Sequence, residues 1–160
     1  MREKTYSGID YFRIIAAFLV VAIHTSPLTS MDNTADFILT RVIARVAVPF
    51  FFMTSGFFLF YRPGDADKRL TVFLKKTASL YAIAILLYLP LNLYHGVPEE
   101  WTYLPNLLKD IFLNGTYLHL WYLPAAIFGA AISWVLLRSL KEKGALTVGL
   151  ILYIVGLFGD

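Results

Sequence analysis

The chain has 160 residues, of which 58% are apolar and only 16% are charged. Average globular sequences are roughly half apolar and about a quarter charged, and a mean hydropathy of +0.65 leaves more apolar surface than a water-soluble core of this length can bury. The lack of cysteine in the sequence excludes disulfides, thiolate metal sites, iron–sulfur clusters and cysteine nucleophiles within it. The composition predicts a membrane protein.

Uncharged runs mark the predicted membrane spans. Four runs are long enough to be candidates for crossing a hydrocarbon core about 30 Å thick, and a fifth is borderline. The runs are 14–31, 46–61 (or from 42 if Arg45 is tolerated), 77–98, 111–137 and 144–159. The predicted fold is therefore an all-α, polytopic transmembrane helix bundle. Since the sequence stops as the fifth run is completed, residues 1–160 are expected to be the N-terminal part of a larger membrane domain.

The segments that connect these runs alternate in charge. An excess of Lys and Arg marks the cytoplasmic side of a membrane protein. The basic segments contain Arg2 and Lys4, then Arg62, Lys68, Arg69, Lys75 and Lys76, then Arg138, Lys141 and Lys143. The two segments between them contain Asp32 and Asp36, then Glu99, Glu100, Lys109 and Asp110. This pattern predicts a cytoplasmic N-terminus. The net charge of +3 thus indicates orientation in a lipid bilayer rather than binding to nucleic acid.

An amphipathic stretch precedes the fourth run. One helical stripe is apolar, and polar residues lie opposite it. The apolar stripe contains Leu104, Leu107, Leu108, Ile111 and Phe112, and the polar side contains Asn106, Lys109 and Asp110. The pattern predicts a helix that lies flat in the outer membrane interface.

The first span carries two polar residues where they are energetically costly. Charged side chains at membrane depth usually face a protein interior, a water-filled cavity or a substrate. Arg13 and His24 are eleven residues apart, which places them on one helix face and about 16 Å apart along the axis. Two alternatives remain open. In the first, Arg13 does not bind a ligand but reaches the lipid headgroups or pairs with Asp10. In the second, His24 forms a hydrogen bond with a backbone carbonyl group freed by Pro27.

The second span carries two arginines and a patch of small residues. Arg41 and Arg45 are four residues apart on one side of a helix, with Arg45 about 6 Å deeper in the membrane. Pro49 interrupts the helical hydrogen bonds. Ser55 and Gly56 then form a small, weakly polar patch that a ligand or another helix can approach closely. Simple helix packing is the alternative interpretation.

Histidine and tryptophan stand at the outer end of the fourth span. His119 and Trp121 are candidate substrate contacts, although aromatic residues are also expected in an interfacial belt. His95 is expected at the interface as well. A zinc site built from His24, His95 and His119 has no paired ligand spacing to support it, so no metal is expected.

The order of these motifs resembles the acyltransferase-3 family of integral membrane acyltransferases. The motifs are Arg13 followed by His24, Val48-Pro49-Phe50-Phe51 through Ser55-Gly56-Phe57, and His119-Leu120-Trp121-Tyr122-Leu123. The opening stretch from Gly8 to Pro27 is also similar to the membrane domain of vancomycin-resistance serine racemases. Members of the acyltransferase family have about ten transmembrane helices, so this chain would supply the first half and depend on the remaining helices of the full-length chain.

The resemblance implies transfer of an acyl group from cytoplasmic acyl-CoA to a hydroxyl or amine acceptor, often a cell-envelope sugar, in a multi-pass protein of the cell membrane. It implies no bound cofactor, because acyl-CoA is the donor substrate. His24 is then the candidate general base, since an imidazole has an unperturbed pKa of about 6.5. Arg13 would position the donor, and the depth of Arg45 suggests that it stabilises the oxyanion. The expected substrate-binding residues are Ser55, Gly56, His119 and Trp121.

Two other functions remain open. In an amino-acid (serine) uptake domain attached to a racemase, Arg13, His24 and Arg45 would bind the substrate carboxylate along a transport path. In a membrane anchor, these polar residues would be dispensable. The basic residues Lys68, Arg69, Lys75 and Lys76 fit either the phosphates of CoA or anionic lipid headgroups.

Overall fold

A computed structural model describes residues 6–61, 64–96, 99–117 and 119–158, which form helices and turns without a β-strand. Arg2, Lys4, Arg62 and Asp160, which entered the topology and chain-end arguments, lie outside the described residues. Four helices are long and apolar enough to cross a membrane. They are α1 (Ser7–Thr25), α2 (Asn33–Tyr61), α3 (Ala66–His95) and α5 (Tyr122–Leu157), and the short helix α4 (Leu104–Lys109) precedes α5. The predicted all-α transmembrane fold is confirmed.

The chain divides into two compact units, Met1–Pro63 and Gly64–Asp160. The first unit contains α1 and α2, and the second contains α3, α4 and α5. Each unit has a small core, as expected where large apolar side chains face lipid or further helices instead of each other.

Helix α1 begins earlier than the uncharged run that predicted it. The run started at residue 14 because Asp10 and Arg13 are charged, but these side chains form an ion pair of 3.1 Å within the helix. The helix ends at Thr25. Ser26 then takes a left-handed conformation (φ 44°, ψ 62°), and its N–H donates to the carbonyl oxygen of Ala22 at 3.0 Å. This ending precedes the predicted end at residue 31.

Helix α2 also begins well before the predicted residue 46, and it includes a residue that was predicted to lie in the outer loop. The carboxylate of Asp32 caps the helix by accepting hydrogen bonds from the N–H groups of Thr34 (2.7 Å) and Ala35 (3.3 Å). Asp36 lies in the first turn and is only 7% exposed. Its carboxylate accepts a hydrogen bond from the N–H of Leu28 at 2.9 Å, so the preceding loop is tied to the helix.

The backbone of α2 is irregular on both sides of its α-helical stretch Ala47–Gly56. A π-helical turn covers Ile38–Ile43, a 3₁₀ turn covers Ala44–Val46, and a second π-helical turn covers Phe57–Tyr61. Pro49 lacks the N–H that would bond the carbonyl group four residues earlier, which accounts for the irregularity before it. The helix nevertheless packs closely against α1, because small side chains fill the contact. Ala16, Ala44 and Ala47 have no exposed surface.

Helix α3 begins inside the segment that was predicted to be a basic loop. Asp65 caps it by accepting hydrogen bonds from the N–H groups of Asp67 (3.0 Å) and Lys68 (3.1 Å). The basic residues 68–76 therefore lie on the helix itself. Thirty residues later the helix ends at His95, followed by Gly96 with a positive φ of 88°.

Helix α5 covers the predicted fourth span only from Tyr122 onward, and it covers most of the predicted fifth span. An unbroken helix of its 36 residues would be about 54 Å long, far more than one membrane crossing requires. The helix is broken at Lys141 (φ 56°, ψ 179°) into 122–140 and 142–157. A side chain at Gly144 would place its Cβ 2.7 Å from the Cβ of Leu140, so only glycine fits this close approach. The short second segment overlaps the run 144–159, which the sequence predicted as a borderline fifth span.

Helices α3 and α5 pack along each other within the second unit. Ala126 and Ala130 are buried on α5 and allow a close approach. The carboxylate of Asp67, at the start of α3, accepts a hydrogen bond from the Trp134 indole N–H (2.7 Å) and forms an ion pair with Arg138. The start of α3 and the region of α5 near its break therefore lie together, as the predicted alternation of sides requires.

Candidate functional site

The predicted site residues lie on both units. The first unit holds Arg13 and His24 on α1, and Arg45, Ser55 and Gly56 on α2. The second unit holds His119 and Trp121, immediately before α5.

Arg13 has two partners near the start of α1. One guanidinium nitrogen lies 3.1 Å from the Asp10 carboxylate, which is the pairing that the sequence left open. The guanidinium also lies over the ring of Phe58, 4.8 Å from its centre. Such cation–π contact holds the planar group in a fixed orientation. Because the side chain stays 40% exposed and a guanidinium has five N–H donors, Arg13 retains donors for an anionic ligand.

His24 lies in the last turn of α1 and is exposed on the surface of its unit. It is eleven residues, about 16 Å along the axis, from Arg13 on the same helix face. The Arg13 and His24 side chains are thus two separate polar groups on one face of α1. This arrangement suits a long substrate that is bound at one point and reacts at the other.

Arg45 lies on the 3₁₀ turn of α2, between buried Ala44 and buried Ala47, and its side chain is exposed. Arg41, one turn earlier, is exposed as well. A cation at membrane depth is costly unless it faces water, an anion or another polar protein group. The position of Arg45 on a candidate spanning helix therefore favours a polar surface on this side of α2.

Ser55 and Gly56 are half-buried near the end of the α-helical stretch of α2. A Cβ added at Gly56 would meet nothing within 4 Å, so close packing within the described residues does not require glycine here. The buried hydroxyl group of this stretch belongs to Thr54, which donates to the carbonyl oxygens of Phe50 (2.9 Å) and Phe51 (3.1 Å). The open space at Gly56 favours a ligand or another segment over packing between α1 and α2.

In the second unit, His119 belongs to an aromatic cluster that we call the His119 cluster: Tyr88, Tyr117 and His119. The Tyr88 hydroxyl and His119 Nε2 are 2.7 Å apart, and the tautomer of the imidazole decides which of them donates. The rings of Tyr88 and Tyr117 stack with their centres 4.7 Å apart. The imidazole stands edge-on to both, at 5.0 Å and 5.4 Å. The imidazole therefore has a fixed position rather than the loose one of an interfacial side chain.

Polar groups adjoin the His119 cluster. Asn92 donates a hydrogen bond from Nδ2 to the carbonyl oxygen of Thr116 at 3.2 Å. The Thr116 hydroxyl is buried, and among the described residues it has no hydrogen-bond partner. Because a buried hydroxyl group is costly without a partner, this site has a place for a water molecule or a polar ligand group. Trp121, two residues beyond His119, is 40% exposed.

Sequence reasoning did not identify Tyr88, Asn92 and Tyr117. Tyr81, Tyr88 and Asn92 recur at seven and four residues along α3, so they share one face of the helix. This spacing could have identified a polar face on α3, but the three residues were included in the uncharged run that predicted the third span. Tyr117 and the Thr116 hydroxyl owe their positions to the turn at Gly115, which cannot be read from periodicity.

The family model described as an acyltransferase domain, Acyl_transf_3, matches residues 6–160. The chain belongs to the acyltransferase-3 family. It is a multi-pass membrane protein with at least four helices capable of spanning a bilayer. No solved structure matches it.

Three curated bacterial relatives are similar over nearly the whole chain. One amino-acid racemase of Enterococcus faecalis is 56% identical over 99% of this chain, and a second is 43% identical over 96%. A serine/alanine racemase of Enterococcus gallinarum is 40% identical over 96%. The chain spans only 22–23% of the length of these relatives. The resemblance to racemase-linked membrane domains is confirmed.

Proposed function

We propose that this chain is the N-terminal part of the membrane domain of a longer enzyme, which transfers an acyl group from acyl-CoA to a hydroxyl or amine acceptor. Family membership supports acyl transfer at the level of reaction class. The observation that carries the assignment to residues is the face of α1, where His24 is exposed in the last turn and Arg13 keeps free surface at the other end. A donor that enters from the Arg13 end extends along this face toward the imidazole.

The reaction assigns a separate task to each polar residue. The His24 imidazole removes the proton from the acceptor hydroxyl or amine as its oxygen or nitrogen attacks the thioester carbonyl carbon. The exposed guanidinium of Arg45 stabilises the negative oxygen that develops on that carbon. The carbon–sulfur bond then breaks, and the CoA thiolate receives the proton from the imidazolium. Arg13 binds the anionic donor.

The remaining site residues bind the two substrates. Ser55 and the open space at Gly56 lie less than one turn before Phe58, whose ring contacts the Arg13 guanidinium, so they bind the donor near that end of α1. His119 and Trp121, on the second unit, present an imidazole and an indole, which suit a polyhydroxylated acceptor such as an envelope sugar. The lipid bilayer and the remaining helices of the full-length chain surround this site.

The substitution His24→Ala in the full-length protein tests the proposal. We expect acyl transfer from radiolabelled acetyl-CoA in isolated membranes to fall by about 10²- to 10⁴-fold, the usual contribution of a general base. His95→Ala is the matched control, because His95 also ends a long helix but has no role in the reaction. Both variants must insert into the membrane at the parental level. Transfer at the parental rate in inserted His24→Ala protein would exclude His24 as the base.

Amino-acid uptake is a second candidate function, and the names of the relatives favour it. Three similar proteins are named as racemases that act on amino acids, one of them on serine and alanine. A membrane domain linked to such an enzyme would supply its substrate, with Arg13 and Arg45 binding the carboxylate of serine.

Radiolabelled serine uptake into proteoliposomes that contain the full-length protein separates the two candidates. Uptake above that of empty liposomes, without acyl transfer, would support the transport domain. Acyl transfer without uptake supports the acyltransferase. An Arg13→Ala and Arg45→Ala double variant that keeps both parental activities would indicate that these arginines serve neither function.

A further inference from the structure

The segment between α3 and α5 lies deeper than an outer interfacial helix would. The hydroxyl group of Tyr81 on α3 donates a hydrogen bond to the carbonyl oxygen of Ile111 at 2.6 Å. Tyr81 is 8% exposed, so this contact belongs to the small core of the unit. Asn92, eleven residues further along α3, bonds the carbonyl oxygen of Thr116, only five residues after Ile111, so the Tyr81 hydroxyl lies within about one helical turn of the Tyr81 backbone, on the side toward Asn92.

The rise per residue of α3 gives the distance of this contact from the outer end of the helix. Tyr81 lies fourteen residues before His95, or about 21 Å from the outer end of α3. Pro90 interrupts the helix, but even the distance from Pro90 to Tyr81 is about 14 Å. Ile111 therefore lies well below the outer end of α3.

The outer half of α3 must itself be in the membrane. Large apolar side chains on this half are exposed on the surface of the unit: Leu86 (67%), Leu87 (70%), Leu91 (41%) and Leu93 (58%). If Ile111 lay at the outer interface, this whole stretch would stand in water. A contiguous exposed apolar surface of this kind requires lipid or further protein. Since residues 77–95 of α3 contain no Lys, Arg, Asp or Glu, lipid is the expected cover, and the outer hydrocarbon boundary then lies near Leu93, with Ile111 roughly 12–18 Å inside it.

Most polar groups of the segment are paired, as this depth demands, whereas exposed Lys109 and the Thr116 hydroxyl must face further protein or water. Asp110 accepts hydrogen bonds from the Trp101 indole N–H and from Asn114 Nδ2, each at 2.8 Å. Tyr81 satisfies the carbonyl group of Ile111, and Asn92 satisfies that of Thr116. Irregular backbone occurs at membrane depth only where the protein or a water-filled cavity satisfies its polar groups.

We infer that residues 104–117 form a re-entrant segment, which enters the membrane from the outer side, comes within about one helical turn of the level of Tyr81 and turns back without crossing. The π-helical turn Asp110–Asn114 is its deepest part. The His119 cluster, bonded to Tyr88 seven residues before the end of α3, then lies about 10 Å inside the outer end of that helix. Its imidazole is a group inside the membrane rather than in the interfacial belt.

Spin-label depth measurements test the segment independently of any activity. A nitroxide is attached to Phe112→Cys in the full-length protein in liposomes, and its collision rates with oxygen and with a water-soluble nickel chelate give its depth. Phe112 is 54% exposed, so a label there is tolerated. The references are Ile83→Cys (55% exposed), near the level of Tyr81, and Tyr94→Cys (86% exposed), at the outer end of α3. The described chain contributes no cysteine, and the unsubstituted protein gives the labelling background.

We expect the label at position 112 to lie within about one helical turn, roughly 5 Å, of the depth at position 83. A depth nearer to that at position 94 would overturn the inference. Leu113→Cys (59% exposed) is the second variant, used if Phe112→Cys fails to insert. Because no turnover is measured, failure of the proposed acyl transfer leaves this test unaffected.

Discussion

The hydroxyl group of Tyr88 fixes the orientation of the His119 imidazole. The two groups are 2.7 Å apart, and the ring of Tyr117 packs against both. A single hydrogen bond contributes about 0.5–1.5 kcal/mol to stability, so its loss alone does not unfold the unit. Its importance lies in holding a candidate substrate-binding side chain in one position.

Replacement of Tyr88 by Phe removes this hydrogen bond and keeps the stacked ring. We expect the KM for the acceptor to rise by up to about tenfold, which corresponds to about 1.4 kcal/mol, while kcat changes little. Steady-state kinetics with varied acceptor measure the two constants separately. Tyr94→Phe is the matched control, because the Tyr94 side chain is 86% exposed at the end of α3. An unchanged KM in Tyr88→Phe would contradict a positioning role.

At single residues, the sequence predicted which polar groups are unusual but not which groups they meet. The spacing of Arg13 and Asp10 allowed their ion pair, and the structure contains it. Phe58 lies on another helix, so no local pattern could place it beneath the Arg13 guanidinium. Likewise, the partner of His119 is thirty-one residues away in the chain. Contacts of this kind depend on how helices pack, which a single sequence does not specify.

At the scale of elements, Gly115 determines how the re-entrant segment joins α5. Its φ is +80°, and an added Cβ would lie 2.5 Å from the backbone nitrogen of Trp121 and 2.7 Å from the carbonyl carbon of Leu120. Neither neighbour can move away without moving the backbone that carries His119. This glycine therefore fixes the start of the predicted fourth span at Tyr122 rather than at residue 111.

We expect Gly115→Ala to reduce the stability of the protein by on the order of 3 kcal/mol, the combined cost of a strained backbone and overpacking. Thermal unfolding in detergent measures the loss, seen as a lower Tm than the parent. Gly149→Ala is the control, because a Cβ there meets nothing within 4 Å and alanine favours the helix. Equal Tm values for the two variants would contradict the steric argument.

Helix starts were less predictable than helix number, for a physical reason. Uncharged runs locate hydrocarbon-spanning segments, but helices α2 and α3 begin at the capping residues Asp32 and Asp65, outside those runs. Each aspartate precedes a helix-compatible stretch, so a search for N-caps would have found both. The π-helical turns in α2 have no such local signal. Pro49 accounts for irregular backbone before it, but nothing in the structure explains the second turn, Phe57–Tyr61.

At the scale of the whole molecule, basic clusters and exposed apolar surfaces together predict the orientation. Asp67, Trp134 and Arg138 join the start of α3 to the region of α5 just before its break. The pair of Asp67 and Arg138 is about half exposed, so its contribution to stability is small. The pair shows that the start of α3 and the region of α5 before its break lie on the same side of the membrane. The excess of Lys and Arg predicts that this side is the cytoplasmic one.

Cysteine labelling of the full-length protein in intact cells tests this orientation and the fifth span together. The segment 142–157 is about 24 Å long, and its exposed apolar side chains include Leu150 (59%) and Ile151 (54%), so it is expected to return through the membrane. A membrane-impermeant maleimide should label Tyr94→Cys and Phe158→Cys, and it should label Lys68→Cys only after permeabilisation. Labelling of Lys68→Cys in intact cells would contradict the cytoplasmic assignment. Protection of Phe158→Cys until permeabilisation would show that the chain does not cross again after the break at Lys141.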